Sequence, residues 1–267
     1  MASKSNFQAI CEDAIQVIKQ TGAYIISQRK GFTEAVVETK SLNSLVSFVD
    51  KTAEQQLVAE LGNLLPEAGF IAEEGTSTKI GEEYNWVIDP LDGTTNFIHG
   101  IPLYSISVAL TQNGYPVIGI VYEINLDECF YAWKGSKAFL NGKEISVTKT
   151  AKMSDTLLAT GFPYHDFDKM EGFLQSLRYF MENTRGLRRL GSAAVDLAYV
   201  ACGRFDGFYE YGLNPWDVVA GAFIVEQAGG KSGFFTDKKE YTDGSEILAT
   251  NGLIHSEMQR LIAEFYG

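Results

Sequence analysis

The segment WVIDPLDGTTNF, Trp86 to Phe97, sets two aspartates, Asp89 and Asp92, at the end of an apolar run that reads as a buried strand. Charge there is expensive to desolvate. Asp-Gly is a common turn dipeptide, and Pro90 is expected to stiffen a tight turn between the carboxylates. Gly93, Thr94 and Thr95 then read as the opening of a short helix, whose free N–H groups favour an anion. Two further acidic positions lie at ends of elements: Glu73-Glu74 closes GFIAEEG, and Asp217 opens the helix WDVVAGAF. Singly, a solvated turn and a helix-start residue are the better readings. Together they place hard oxygen ligands beside an anion cradle, which is what Mg²⁺-assisted phosphoryl transfer requires. Such chemistry needs no histidine or cysteine nucleophile.

Elements must bring these positions together. NFQAICEDAIQVIKQTGAYIISQ spaces Ile10, Ala14, Val17, Ile18, Ala23 and Ile26 at helical intervals, predicting a long amphipathic helix. KGFTEAVVETKSLNS reads as a polar, mobile connection. DKTAEQQLVAELGNLL resumes the helical period, with Asp50 as its N-cap. Strand-like runs follow (GFIA, NWVID, YSISVALTQNG, PVIGIVYE, ECFYAW), and Asn141-Gly142 in AFLNGKEISV signals a hairpin. After about Ser146, helical stretches alternate with the short strands GLRRL, DGFYEY and SEILATN, which predicts a mixed sheet covered by helices. The expected organisation is an N-terminal half, residues 1–148, carrying most candidate ligands, and a C-terminal half, 149–267, carrying Asp217. No long linker separates the halves, so they should pack together.

Composition narrows the classes. A chain of 267 residues, 45% hydrophobic and 21% charged, can bury a sizeable core. Its net charge of −12 argues against a nucleic-acid surface. Cys11, Cys129 and Cys202 are widely spaced and odd in number, without a zinc or disulfide pattern, which points to a reducing compartment. With no signal-peptide core and no apolar run of membrane-spanning length, a cytoplasmic protein without membrane partners is expected. GGKSG fails as a phosphate loop because Val225 stands where a glycine is needed, and reads instead as a helix C-cap. An EF-hand from Asp89 fails because Gly100 falls at the glutamate position. His99, His165 and His255 are scattered and read as surface or core residues.

DPLDGTTNF, preceded by AEEG and followed by NPWDVVAGAFIVEQAGG, resembles the inositol monophosphatase family of magnesium-dependent, lithium-sensitive phosphatases. RRLGSAAVDLAYVACGRFDGFYE extends the likeness, which covers about Asn6 to Gly230. The resemblance implies an α/β fold, a layered αβαβα sandwich, usually a homodimer, holding roughly two or three Mg²⁺ ions. By it, Glu73, Asp89, Asp92 and Asp217 are the metal carboxylates, with the Leu91 carbonyl completing one site. Thr94, with Asp50, would orient and deprotonate the attacking water, and Glu74 would assist a more weakly bound cation. The amides of Gly93 and Thr94 would hold the phosphate. Gly191, Ser192, Ala193 and Glu210 would face the alcohol. Lys40 is a candidate for the lysine often found before SFVD, although Asp50 reads equally as a helix cap.

Relatives with these motifs act on inositol phosphates, fructose 1,6-bisphosphate or nucleotide 3′-phosphates. The segment around Glu210 looks most like the inositol monophosphatase branch, a phosphoric monoester hydrolase acting on a small phosphate ester. A bisphosphatase would need extra cations, for which Arg188 and Arg189 are candidates, though arginines in strand-like segments are more often solvated. A regulatory binding protein on the same fold is the non-enzymatic alternative. Such a scaffold could lose ligands freely, whereas the four metal carboxylates and Thr94 are all present.

Overall fold

The computed structural model describes residues 6–29, 37–41, 44–164, 167–235 and 245–266, with 37–41 and 44–47 described by their backbone alone. Helix α1 (Phe7–Arg29) leads to a hairpin of β1 (Val37–Ser41) and β2 (Ser44–Ser47), then to α2 (Phe48–Leu64). The hairpin corrects the expectation of a wholly irregular connection there. Lys40 lies on β1, but its side chain is outside what is described, as is His165. Asp50 is the third residue of α2 and is buried, so it is not the N-cap. The buried face of α1 is also turned from the expected one. Cys11, Ala14, Ile15, Ile18 and Ile25 face inward, while Ile26 is 40% exposed.

Next come β3 (Gly69–Ala72), β4 (Tyr84–Asp92), the short α3 (Thr94–His99), β5 (Ser105–Gln112), β6 (Tyr115–Glu123), β7 (Glu128–Trp133), β8 (Ala138–Leu140) and β9 (Lys143–Ile145). These strands form a seven-stranded sheet in sequence order, in which only β3 and β4 pair in parallel. Asn141 and Gly142 both adopt positive φ (48° and 80°), as the expected tight hairpin demands.

The remaining elements are β10 (Leu157–Thr160), α4 (Met170–Asn183), β11 (Gly186–Arg188), α5 (Ala193–Ala201), β12 (Gly207–Tyr211), α6 (Pro215–Gln227), β13 (Lys231–Gly233), β14 (Glu246–Thr250) and α7 (His255–Tyr266). A five-stranded mixed sheet has the order β11-β10-β12-β14-β13. Gly229, at φ 87°, follows the end of α6, which fits the C-cap reading of the glycine pair.

Apolar patterning explains the layers. α5 and α6 are buried nearly all round, as a helix between two sheets must be. α6 packs on β4, β5 and β6 on one side and on β13 and β14 on the other. It approaches β6 so closely that a Cβ at Gly119 would lie 2.6 Å from the Ala220 carbonyl oxygen. α1 and α2 cover the outer face of the large sheet, and α4 and α7 cover that of the small one. The result is the αβαβα sandwich. Among the described residues, no helix is long and apolar enough to cross a membrane.

Candidate active site

β4 carries the first two carboxylates, and its geometry differs from the expected turn. Asp89 pairs with Ser107 and Asp92 with Ser105, so three steps along β4 match two along β5. Ser105 and Ser107 share a face of β5, and directly paired residues share a face of the sheet. The extra residue therefore returns Asp92 to the side of Asp89, where regular pleating would oppose them. That side meets the central helices: the Ser107 hydroxyl donates to the Trp216 carbonyl (2.9 Å), and the Ser105 and Ser192 hydroxyls lie 3.2 Å apart.

Register supplies Glu73. β3 runs parallel to β4 with Ala72 opposite Ile88, and the Glu73 N–H donates to the Ile88 carbonyl at 3.2 Å. Glu73 thus leaves the sheet beside Asp89. Asp217 comes from the central layer, in the first turn of α6. Its Oδ2 accepts the Asn214 N–H at 2.7 Å, one half of a capping box, and Pro215 starts the helix. Asp92 reaches the start of α5, where its Oδ2 accepts from the Ser192 hydroxyl (2.6 Å) and the Ala194 N–H (2.8 Å).

Gly93 adopts φ 95° between β4 and α3, a left-handed conformation that glycine tolerates without strain. The turn delivers the Thr94 hydroxyl to 3.0 Å from both Asp50 Oδ1 and the Leu91 carbonyl oxygen. One hydroxyl proton can serve only one acceptor at a time. Asn96 ties the neighbouring loops, donating to the Leu103 (2.8 Å) and Leu190 (2.9 Å) carbonyls.

These elements enclose a cleft of about 860 Å³, counted to its open mouth. Glu73, Asp89, Leu91, Asp92, Gly93, Thr94, Gly191, Ser192, Ala193, Glu210 and Asp217 all line it. Asp50 stands behind Thr94, and Glu74 lies one residue beyond Glu73, outside the lining. Sequence reasoning missed Gly161, Tyr164 and Asp196, and undervalued Arg189, which also line the cleft. Asp196 had a readable signal, a lone charge inside the apolar helix AAVDLAYVA. Arg189 turns inward: its guanidinium carbon lies 5.3 Å and 5.4 Å from the Phe162 and Tyr164 ring centres, while Arg188 is exposed. His99 is exposed and His255 buried, neither in the cleft lining.

Burial pushes the Asp89 carboxyl well above the usual range, and repulsion from Glu73, Asp92 and Asp217 adds to it. Asp92 is raised to about 6 by burial, against the opposing bonds from Ser192 and Ala194. Asp217 is raised by burial and then by Asp92. Burial likewise raises Asp196 and Glu210, with Arg189 pulling the other way. Among the described residues, no three His, Cys, Asp or Glu side chains are already gathered at metal-binding distance. Asp92 and Asp217 are held instead by the starts of α5 and α6. The donors nonetheless fit a hard cation: they are all oxygens, and their mutual repulsion is the strain that such a charge relieves.

The inositol monophosphatase family profile matches residues 7–266. The chain belongs to the inositol monophosphatase family. The match runs past the segment that carried the resemblance, through the whole second sheet and α7. The chain is 39% identical over 227 residues to an inositol-1-monophosphatase of Mesorhizobium japonicum, covering 85% of each. It is 37% identical over 251 residues to a putative Nus factor SuhB of Neisseria meningitidis, covering 94% of this chain and 96% of that one. The crystal structure of extragenic suppressor protein suhB from Bartonella henselae superposes with a TM-score of 0.88 at 35% identity, over 95% of this chain and 98% of that one.

Proposed function

We propose that the protein is a Mg²⁺-dependent phosphatase of small phosphate monoesters, with myo-inositol monophosphate the first substrate to test. The observation that carries this reading is the cleft in which Glu73, Asp89, Asp92 and Asp217, drawn from three separate elements, meet the Thr94–Asp50 pair. Those carboxylates and the Leu91 carbonyl would hold magnesium, which when bound neutralises phosphate charge and makes water a stronger acid. Asp50, at 3.0 Å, accepts the Thr94 proton, leaving the Thr94 oxygen to orient and take a proton from the attacking water. The Gly93 and Thr94 amides hold the phosphate, and Glu74 assists a weaker cation from the rim. Gly191, Ser192, Ala193 and Glu210 face the alcohol.

Arg189 is the one cation lining the cleft among the described residues, and it faces Glu210 and Asp196. That balance favours a polyol over a second phosphate, so fructose 1,6-bisphosphate ranks below inositol monophosphate. The Neisseria relative's name supports a regulatory role as the alternative reading. Phosphate release from a panel of esters decides between them. Release should vanish in EDTA, return with Mg²⁺ and fall with added Li⁺, whereas selective zinc chelation should not matter. Full hydrolysis in EDTA would remove the metal mechanism, and no release from any ester would leave the regulatory reading.

A reduced, cytoplasmic protein and a symmetric homodimer complete the reading. Light scattering at micromolar concentration should give twice the chain mass. A monomer that is fully active would count against the dimer.

A further inference from the structure

α2 carries a second buried carboxylate that the reaction above does not use. Glu54 is fully buried, one helical turn after Asp50, so both acids stand on one face of the helix. A carboxylate in that position is costly unless its oxygens are satisfied. Oε2 accepts the Glu74 N–H at 2.7 Å, and Oε1 accepts the Thr76 N–H and the Thr76 hydroxyl, both at 2.8 Å. All three donors belong to the turn that follows Glu73. The turn closes only weakly on itself. Its own backbone closure, from the Gly75 N–H to the Ala72 carbonyl, is long at 3.3 Å, and Gly75 and Thr76 are exposed.

We propose that Glu54 is a positioning residue that fixes Glu73 against Asp89 and thereby sets the affinity of the cleft for its divalent cation. One face of α2 then governs both walls: Asp50 orders the Thr94 side, and Glu54 orders the Glu73 side. Glu54 touches neither cation nor substrate. Charge-assisted bonds to backbone N–H groups hold a turn more firmly than neutral ones, and groups that orient metal ligands control affinity through them. The inference rests on the Mg²⁺ reading of the cleft.

The test is calorimetric titration of the whole protein with Mg²⁺ for the wild type, Glu54→Gln and Leu57→Ala. Glu54→Gln keeps the shape but presents an N–H₂ group to N–H donors. It should raise the Mg²⁺ dissociation constant by about tenfold or more. The Mg²⁺ concentration for half-maximal turnover should rise with it, while turnover at saturating Mg²⁺ changes far less. Leu57 is apolar and fully buried on the same helix, so Leu57→Ala should lower the melting temperature and leave Mg²⁺ affinity unchanged. An unchanged dissociation constant in Glu54→Gln, or an equal rise in Leu57→Ala, overturns the proposal. A wild type that binds no Mg²⁺ overturns the cation reading instead. Amide exchange at Glu74 and Thr76 in the cation-free protein then judges Glu54: faster exchange in Glu54→Gln supports its hold on the turn, and equal rates overturn it.

Discussion

Asp89→Asn is expected to lose on the order of 10²-fold or more in turnover on every phosphate ester, because stabilisation of developing charge is a leading catalytic term. Asp89 is 2% exposed, and its Oδ1 accepts the Leu91 N–H at 2.9 Å. An asparagine oxygen can keep that bond, so the local backbone should survive while the charge is lost. Stability makes the result specific. Burial and three neighbouring carboxylates already oppose ionisation of Asp89. Removing its charge should therefore not lower the melting temperature in EDTA, whereas the gain on adding Mg²⁺ should shrink. Turnover on inositol monophosphate and nitrophenyl phosphate, with melts in EDTA and Mg²⁺, checks both halves. Wild-type turnover in the variant would remove Asp89 from the cation site.

Substitutions at Glu210 are expected to divide the two esters. Glu210 is buried on β12 and would touch hydroxyls of the alcohol, away from phosphorus. Glu210→Gln should lose roughly 1–3 kcal/mol in kcat/KM on inositol monophosphate, the worth of charge-assisted hydrogen bonds. Nitrophenyl phosphate, which lacks ring hydroxyls, should be largely spared. Gly161 offers an independent route to the same outcome. A Cβ there would stand 1.8 Å from the Glu210 carboxyl carbon and within 2.0 Å of both its oxygens. Gly161→Ala must displace that carboxylate, so it should reproduce the Glu210→Gln pattern. Equal losses on both esters in both variants would reduce Glu210 to a support of its strand.

Much of this architecture is legible where local chemistry decides the outcome. Alternating helical and strand-like runs announce a mixed sheet covered by helices, and Asn141-Gly142 announces its hairpin, while the layered sandwich comes only with the family resemblance. The three separated acidic motifs carry the family resemblance by themselves, and the family profile matches residues 7–266. What stayed hidden depends on partners distant in the chain. Asp50 reads from its own neighbours as a helix cap; its pairing with Thr94, 44 residues on, comes only with the family resemblance, and the structure sets the two side chains 3.0 Å apart. Glu54 meets the turn 20 residues later in the same way. Arg189 reads as one of two solvated arginines until two aromatic rings turn it inward. For α1, the expected stripe included Ala23 and Ile26. The helix rotates instead to place Gly22 against Tyr122, where a Cβ would come within 2.6 Å of the ring.

The register shift between Asp89 and Asp92 makes their separation a matter of parity. In an unbroken strand only even separations share a face, and an odd one works here because one position drops out of the ladder. Deleting either Pro90 or Leu91 would not merely shorten the segment. It would either swing one carboxylate to the far side of the sheet or erase the irregularity. The same omission frees backbone for another partner, since a position left out of strand pairing keeps a carbonyl uncommitted to the neighbouring strand. The Leu91 carbonyl meets the Thr94 hydroxyl instead. Chain length between two acids, rather than the identity of what fills it, thus supplies an oxygen that no side chain provides.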